Sequence, residues 1–285
     1  ADGLASDTVW AIQSAAPGDL FFGTSQGLTR YDGRAFTTLT TRDGLADDWV
    51  CAMYPEGDGS LWIGTFAGLS HYRSGRFTNL STEEGLADNR VNAIERDAQG
   101  TLWFATEGGV SRLDGESFTT FTTIDGLVHD TVSAVRCDTG GNLWFGTNGG
   151  LSRYDGQTFT SITAREGLVS DAVLAIECDA EGALWFATEG GLSRFDDRRL
   201  IEFTARDGLT DPVLALRNVG GRLWLGTEGG AYRFDGNAFA HYPAREGLAN
   251  ETIRALGDSS EGVICATHNG VFRFDGSRFV ADAEI

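Results

Sequence analysis

One five-residue shape recurs along the chain and leaves little freedom in how it can fold. It is clearest as Leu143-Trp144-Phe145-Gly146-Thr147. It returns as Leu61-Trp62-Ile63-Gly64-Thr65, Leu102-Trp103-Phe104-Ala105-Thr106, Leu184-Trp185-Phe186-Ala187-Thr188 and Leu223-Trp224-Leu225-Gly226-Thr227. Weaker copies are Leu20-Phe21-Phe22-Gly23-Thr24 and Val263-Ile264-Cys265-Ala266-Thr267. The closing threonines stand at 24, 65, 106, 147, 188, 227 and 267, so seven copies are spaced by 41, 41, 41, 41, 39 and 40 residues. A period near 40 built from β-type segments marks a propeller.

Each unit opens with an acid, a glycine and a leucine, from Asp2-Gly3-Leu4 through Asp125-Gly126-Leu127 to Glu246-Gly247-Leu248. Glycine there supplies a backbone conformation that other residues resist. A first strand such as Val91-Asn92-Ala93-Ile94 follows, then a turn such as Asp97-Ala98-Gln99-Gly100, whose Asp and Gly are hairpin chemistry. The Leu-Trp-Phe segment is the second strand. It is apolar on both faces, as a strand buried between two sheets must be. Its fourth residue is always Gly or Ala, which predicts close approach of a neighbouring sheet. Leu151-Ser152-Arg153-Tyr154 begins the third strand, Asp155-Gly156 a tight turn, and Phe159-Thr160-Ser161-Ile162 an alternating, half-exposed fourth. The expected fold is all-β: one seven-bladed β-propeller over 1–285, four antiparallel strands per blade, with blades at 1–41, 42–82, 83–123, 124–164, 165–205, 206–244 and 245–285. The two ends of the chain fall at equivalent points of the repeat. Closure is therefore expected from face-to-face packing of blades 1 and 7, without a shared strand.

The formal charge of −19, from 41 acidic against 22 basic residues, repels phosphate backbones and anionic lipid heads, which disfavours nucleic acid and membrane as partners. No run approaches the roughly 20 apolar residues of a membrane span. The chain opens on Ala1 without a signal-peptide pattern, as a processed form or a domain of a longer protein would. Cys51, Cys137, Cys178 and Cys265 lie in four different repeats. They are expected as buried free thiols, because neighbouring blades pack about 10 Å apart, beyond disulfide reach.

The unit from Asp125 to Thr163 resembles the two-component regulator propeller repeat, and the resemblance extends over all seven copies. In that family such propellers form the extracytoplasmic sensor region of bacterial hybrid histidine kinases. They recognise ligands, often glycans, and pass a signal to a following immunoglobulin-like module. The resemblance implies a sensory or ligand-binding module, a periplasmic or extracellular location, and other domains of a parent sensor as partners. This sequence departs from the pattern in having one propeller and neither trailing module nor kinase.

Ligands of propellers gather where loops converge at the mouth of the axial channel. Structural demands repeat in every blade, so positions that break the repeat point to recognition. A nearly uniform set precedes each first strand: Asp7, Asp48, Asn89, Asp130, Asp171, Asp211 and Glu251. Short polar side chains there cap their own turns; read instead as an acidic ring, they would attract a cation or sugar hydroxyls, and no cofactor is expected beyond such a cation. The neighbouring slots are irregular. Trp10, Trp49, Phe66, Arg90, Arg254 and His268 are expected to line one side of the mouth, aromatic faces with a few polar groups suiting a small molecule or glycan. The regular tryptophans are expected to pack between blades. The arginines at 30, 112, 153, 194, 233 and 273, each two residues before an aspartate on the same strand face, are expected to be structural, in ion pairs between strands or between blades.

Two other classes stay open. A protein-interaction scaffold would present a broad apolar patch on the same face. A propeller lyase or lactonase would need a metal or histidine at the mouth. The four histidines, His71, His129, His241 and His268, are poorly spaced for a metal, and no nucleophile-elbow or phosphate-loop motif occurs. The expectation is a monomeric binding module with no catalytic residues. The mutual similarity of the blades also fits recent amplification or design from a repeat, against which the irregular mouth residues argue.

Overall fold

The computed structural model describes residues 3–16, 19–196, 198–243, 248, 252–259, 262–267 and 270–281. Seven separate four-stranded antiparallel sheets are arranged around one axis, each drawn from one repeat and ordered first to fourth strand. In blade 4 the strands are Val132–Cys137, Leu143–Thr147, Gly150–Tyr154 and Phe159–Ile162. The expected seven-bladed propeller is the observed fold.

The second strand is the packed heart of each blade. All five residues of Leu143–Thr147 are buried, whereas Phe159–Ile162 is half-buried at its ends and exposed between. The cores lie between blades. One joins Ala134, Trp144 and Leu151 of blade 4 to Leu168, Val173, Ile176, Leu184 and Phe186 of blade 5. The ring closes by the same means: Val9, Ile12, Leu20 and Phe22 of blade 1 pack against Ala255, Ile264, Ala266 and Val271 of blade 7. The small fourth residue of the second strand is explained directly. A Cβ on Gly64 would lie 2.8 Å from the carbonyl oxygen of Val91 in the next blade, and no real Cβ fits there without displacement.

Blades 1 to 6 are joined in turn by single 3-10 turns with a capping box not anticipated from the sequence. Thr40, Ser81, Thr122, Thr163 and Thr204 each bond the turn with their hydroxyl, and the acid three residues on bonds back to their amide. That acid is the first residue of the Asp/Glu-Gly-Leu triplet, and its glycine ends the turn in the left-handed region, at φ 107° for Gly126. Asp2, Glu246 and Gly247 of that series lie outside the described residues.

The regular arginines pair across their own blades in two cases, Arg30 with Asp19 at 2.8 Å and Arg194 with Asp179 at 3.4 Å, while Arg112 pairs along its strand with Asp114 at 2.8 Å. In blades 3 to 6 the cross-strand register also places the arginine opposite the tryptophan of its own blade, and the guanidinium stacks over the ring: Arg153 over Trp144 at 5.6 Å and Arg194 over Trp185 at 5.4 Å. Most of the aspartates instead close their hairpins, Asp155 Oδ1 accepting from the amides of Gln157 and Thr158. In blade 2, His71 takes the arginine's place, 4.1 Å from the Trp62 ring and nearly parallel to it. The four cysteines are free, as expected, but only Cys265 is fully buried; Cys51, Cys137 and Cys178 are partly exposed.

Candidate functional site at the channel mouth

The first strands of all seven blades line an axial channel of about 270 Å³. At one end its wall is the irregular slot Trp10, Cys51, Asn92, Ser133, Leu174, Leu214 and Arg254. Two loop types build the mouth around this end. The turn after each second strand is tied by its threonine, Thr65 Oγ1 donating to the Gly68 carbonyl at 2.8 Å. The loop entering each first strand bonds that turn, as Glu107 N donates to Arg90 O at 3.2 Å. Within the entering loop, Trp49 N donates to Asp47 Oδ1 at 2.7 Å and Arg90 N to Asp88 Oδ1 at 2.8 Å. These aspartate turns fix the backbone from which the two irregular side chains project.

Five of the six expected mouth residues form one continuous ladder across blades 7, 1, 2 and 3. The Arg254 guanidinium stands 5.5 Å from the Trp10 ring. Trp10 and Trp49 have centroids 5.9 Å apart, and Trp49 stacks on Phe66 at 4.8 Å and 12°. Arg90 lies 4.3 Å above Phe66, and its Nε is 3.4 Å from Glu107 Oε1. Asn92 Nδ2 extends the line, donating to Glu107 Oε1 at 3.2 Å and to the Val132 carbonyl at 2.9 Å. The three rings are half-buried and both arginines exposed. The indole N–H groups of Trp10 and Trp49 have no hydrogen-bond partner among the described residues. The sixth residue, His268, lies outside the described residues.

The acidic set behaves differently. Asp48, Asn89, Asp130 and Asp171 each accept, at 2.7–2.8 Å, from the amide of the first residue of the preceding 3-10 turn. Asp211 accepts from the hydroxyls of Tyr232 at 2.6 Å and Thr210 at 3.1 Å. These side chains hold loops in place. Asp7 is also engaged, and Glu251 lies outside the described residues. Among the described residues no cluster of three or more metal-ligating side chains occurs.

Among the described residues the Cys51 thiol and three of the histidines are buried or engaged. Burial pushes the Cys51 thiol up to about 12, which keeps it protonated and unreactive. His71 is held between Trp62 and Glu56 Oε2, 2.8 Å away. His241 lies flat on Tyr232, and His129 Nδ1 accepts from its own loop at Thr131 N. A larger hollow of about 750 Å³ lies at the outer rim between blades 5 and 6, around Trp185, Arg194 and Arg233. A smaller one of about 460 Å³ recurs between blades 3 and 4 around Trp103 and Arg112. The recurrence marks both as grooves left by wedge-shaped blades.

The opposite end of the channel carries a charged ring that the sequence reading did not tabulate. Three residues beyond the Trp10 slot stand Gln13, Tyr54, Glu95, Arg136, Glu177 and Arg217, around a hollow of about 410 Å³. Arg136 lies between two carboxylates from its neighbouring blades, Glu95 at 3.4 Å and Glu177 closer still. Glu177 is 3% exposed. Burial holds the Glu95 carboxyl above the usual carboxylate range, against the pull of Arg136. The signal was available: this slot differs from blade to blade as much as the Trp10 slot does.

Residues 85–108 and 126–149, in blades 3 and 4, match the family model described as two component regulator propeller. Among curated protein sequences nothing matches. Solved structures do. The extracellular domain of one hybrid two-component system of B. thetaiotaomicron superposes with TM-score 0.81 at 23% identity, over 94% of this chain and 40% of that one. A second from the same organism gives 0.78 at 19%, over 93% and 39%. This chain thus spans about two fifths of the length of those domains. Virginiamycin B lyase from Staphylococcus aureus gives 0.71 at 18%, over 93% of this chain and 94% of that one.

Proposed function

We propose that this chain, whose repeats are of the two-component regulator propeller kind, is the ligand-binding module of an extracytoplasmic sensor and takes a glycan or small molecule at the axial mouth. The observation that carries this reading is the ladder Arg254–Trp10–Trp49–Phe66–Arg90. Its half-buried rings leave apolar edges for the apolar face of a sugar, and two exposed guanidiniums flank the shelf. Structural relatives that are extracellular domains of two-component systems support the sensory role and the location. The acidic exterior favours neutral ligands. The test is titration calorimetry against a panel of neutral and acidic oligosaccharides. Trp49→Ala should weaken the best binder at least about tenfold, as loss of a central aromatic contact does, while leaving the melting temperature within a few degrees. Undiminished affinity in that variant would overturn the assignment.

One observation favours a lyase as a second reading: the virginiamycin B lyase chain is a single propeller of nearly this length. The change expected of a lyase is turnover of virginiamycin B or quinupristin, the compounds named with those lyase structures, lost in His268→Ala or His129→Ala; the sensor reading expects no turnover.

A further inference from the structure

Apart from Tyr54, which packs against the core between blades 2 and 3, the ring Gln13, Tyr54, Glu95, Arg136, Glu177, Arg217 belongs to none of the hydrophobic cores between blades. The residues that pack between blades repeat, as Val50, Val91, Val132 and Val173 do, whereas this inward-facing slot changes in each blade. Partly desolvated charges are unfavourable unless paired and fully hydrogen-bonded, so the way these four are paired is informative. Their formal sum is zero, but they are unevenly matched. Arg136 serves both Glu95 and Glu177, which leaves one negative charge in excess on the side of blades 3 to 5. Among the described residues Arg217, in blade 6, has only long contacts, 3.5 Å to Gln13 Oε1 and 3.6 Å to Asp258 Oδ1. A satisfied charge-assisted bond is nearer about 2.8 Å. Glu95 is held as loosely, by the Arg96 amide at 3.2 Å and the Arg136 guanidinium at 3.4 Å. The hollow of about 410 Å³ between them therefore has a loosely held cation on one side and a loosely held carboxylate on the other.

We propose that this end of the channel is a second binding site, independent of the mouth, and that it takes a small zwitterion of amino-acid or dipeptide size. The ligand's carboxylate sits on Arg217 and Gln13, and its ammonium on Glu95 beside the Tyr54 hydroxyl. An anion alone would meet the excess carboxylate, and a cation alone would meet Arg217; a ligand with both charges completes both sides. The channel joins the two ends through its apolar middle, Ile12, Met53, Ile94 and their equivalents. That spacing of about 10 Å between the slots, three residues along a strand, keeps the two ligands apart.

The test is calorimetry on the whole chain with glycine, leucine, lysine, γ-aminobutyrate and diglycine, each beside its N-acetylated and its amidated derivative. The expected result is binding of at least one zwitterion, weakened about tenfold or more when either charge is removed. Arg217→Gln should abolish it, and Trp49→Ala should leave it unchanged, which separates this site from the mouth. Should Arg217→Gln fail to fold, Gln13→Ala supplies the same reading with a smaller loss. The proposal is overturned if no zwitterion binds, if a singly charged derivative binds equally well, or if the Arg217→Gln protein binds as the wild type does.

Discussion

Trp144→Ala probes how the ring is held together. The indole is 1% exposed and lies in the core between blades 4 and 5. Its ring centroid is 5.6 Å from that of Phe186 and 5.4 Å from that of Phe195, with Arg153 over its face. Its Nε1 donates to Asp138 Oδ2 at 2.8 Å. Truncation removes the transfer energy of the ring and leaves a cavity, together about 3–5 kcal/mol. The hydrogen bond adds little, because Asp138 keeps the amide and side chain of Asn142 as donors. Unfolding entropy near 2.1 cal/mol/K per residue makes about 0.6 kcal/mol/K for a chain this long, so the melting temperature should fall by about 5–8 °C. Trp144→Phe keeps an aromatic ring in the core but loses the rest of the indole and its N–H, so its cost should lie well below that of the Ala variant, about 1–2 kcal/mol. Calorimetric melts of both variants, with agreement of calorimetric and van't Hoff enthalpies as the check on two-state behaviour, read the difference. A shift under about 1 °C for Trp144→Ala, or equal shifts for the Ala and Phe variants, would refute the packing argument.

Two further tests address the joints between blades. Gly64→Val places a branched side chain against the Val91 carbonyl of blade 3, and overpacking there should cost about 1–3 kcal/mol or more by chemical denaturation; a neutral result would mean that blades 2 and 3 are not closely apposed. Glu166 is held below its ordinary value by hydrogen bonds from the Thr163 hydroxyl and backbone amide. A carboxylate with a depressed folded pKa adds stability above its unfolded value and loses it as pH falls through the folded one. Glu166→Ala should therefore lower the melting temperature at pH 7 and differ progressively less from wild type below about pH 4.5; a difference independent of pH would contradict the capping role.

Much of the candidate mouth was legible because of where the repeat breaks. Trp10, Trp49, Phe66, Arg90 and Arg254 stood out against uniform neighbours, and all five stack into one ladder. The acidic set was legible as a pattern and ambiguous in role. Local side-chain bonding to backbone and convergence on an axis leave the same residues in the same slots, and only the distances from Asp48 to Thr41 and its equivalents separate them. Ion pairing of the arginine series between strands was legible from its regularity, but that the register sets Arg153 beside Trp144 was not, since spacing along one strand does not encode a contact between strands.

The amino-acid order alone determined the blade count, the strand order and the buried second strand, because each depends on contacts within about 40 residues that are repeated seven times. The repeat also implied that blade 7 closes on blade 1 by face packing, as it does. Tertiary structure decided what the repeat cannot express: that Glu95, Arg136 and Glu177, 41 residues apart in turn, meet around an axis. Those contacts exist only once the wedges have closed into a ring, since no single unit contains more than one of the charges.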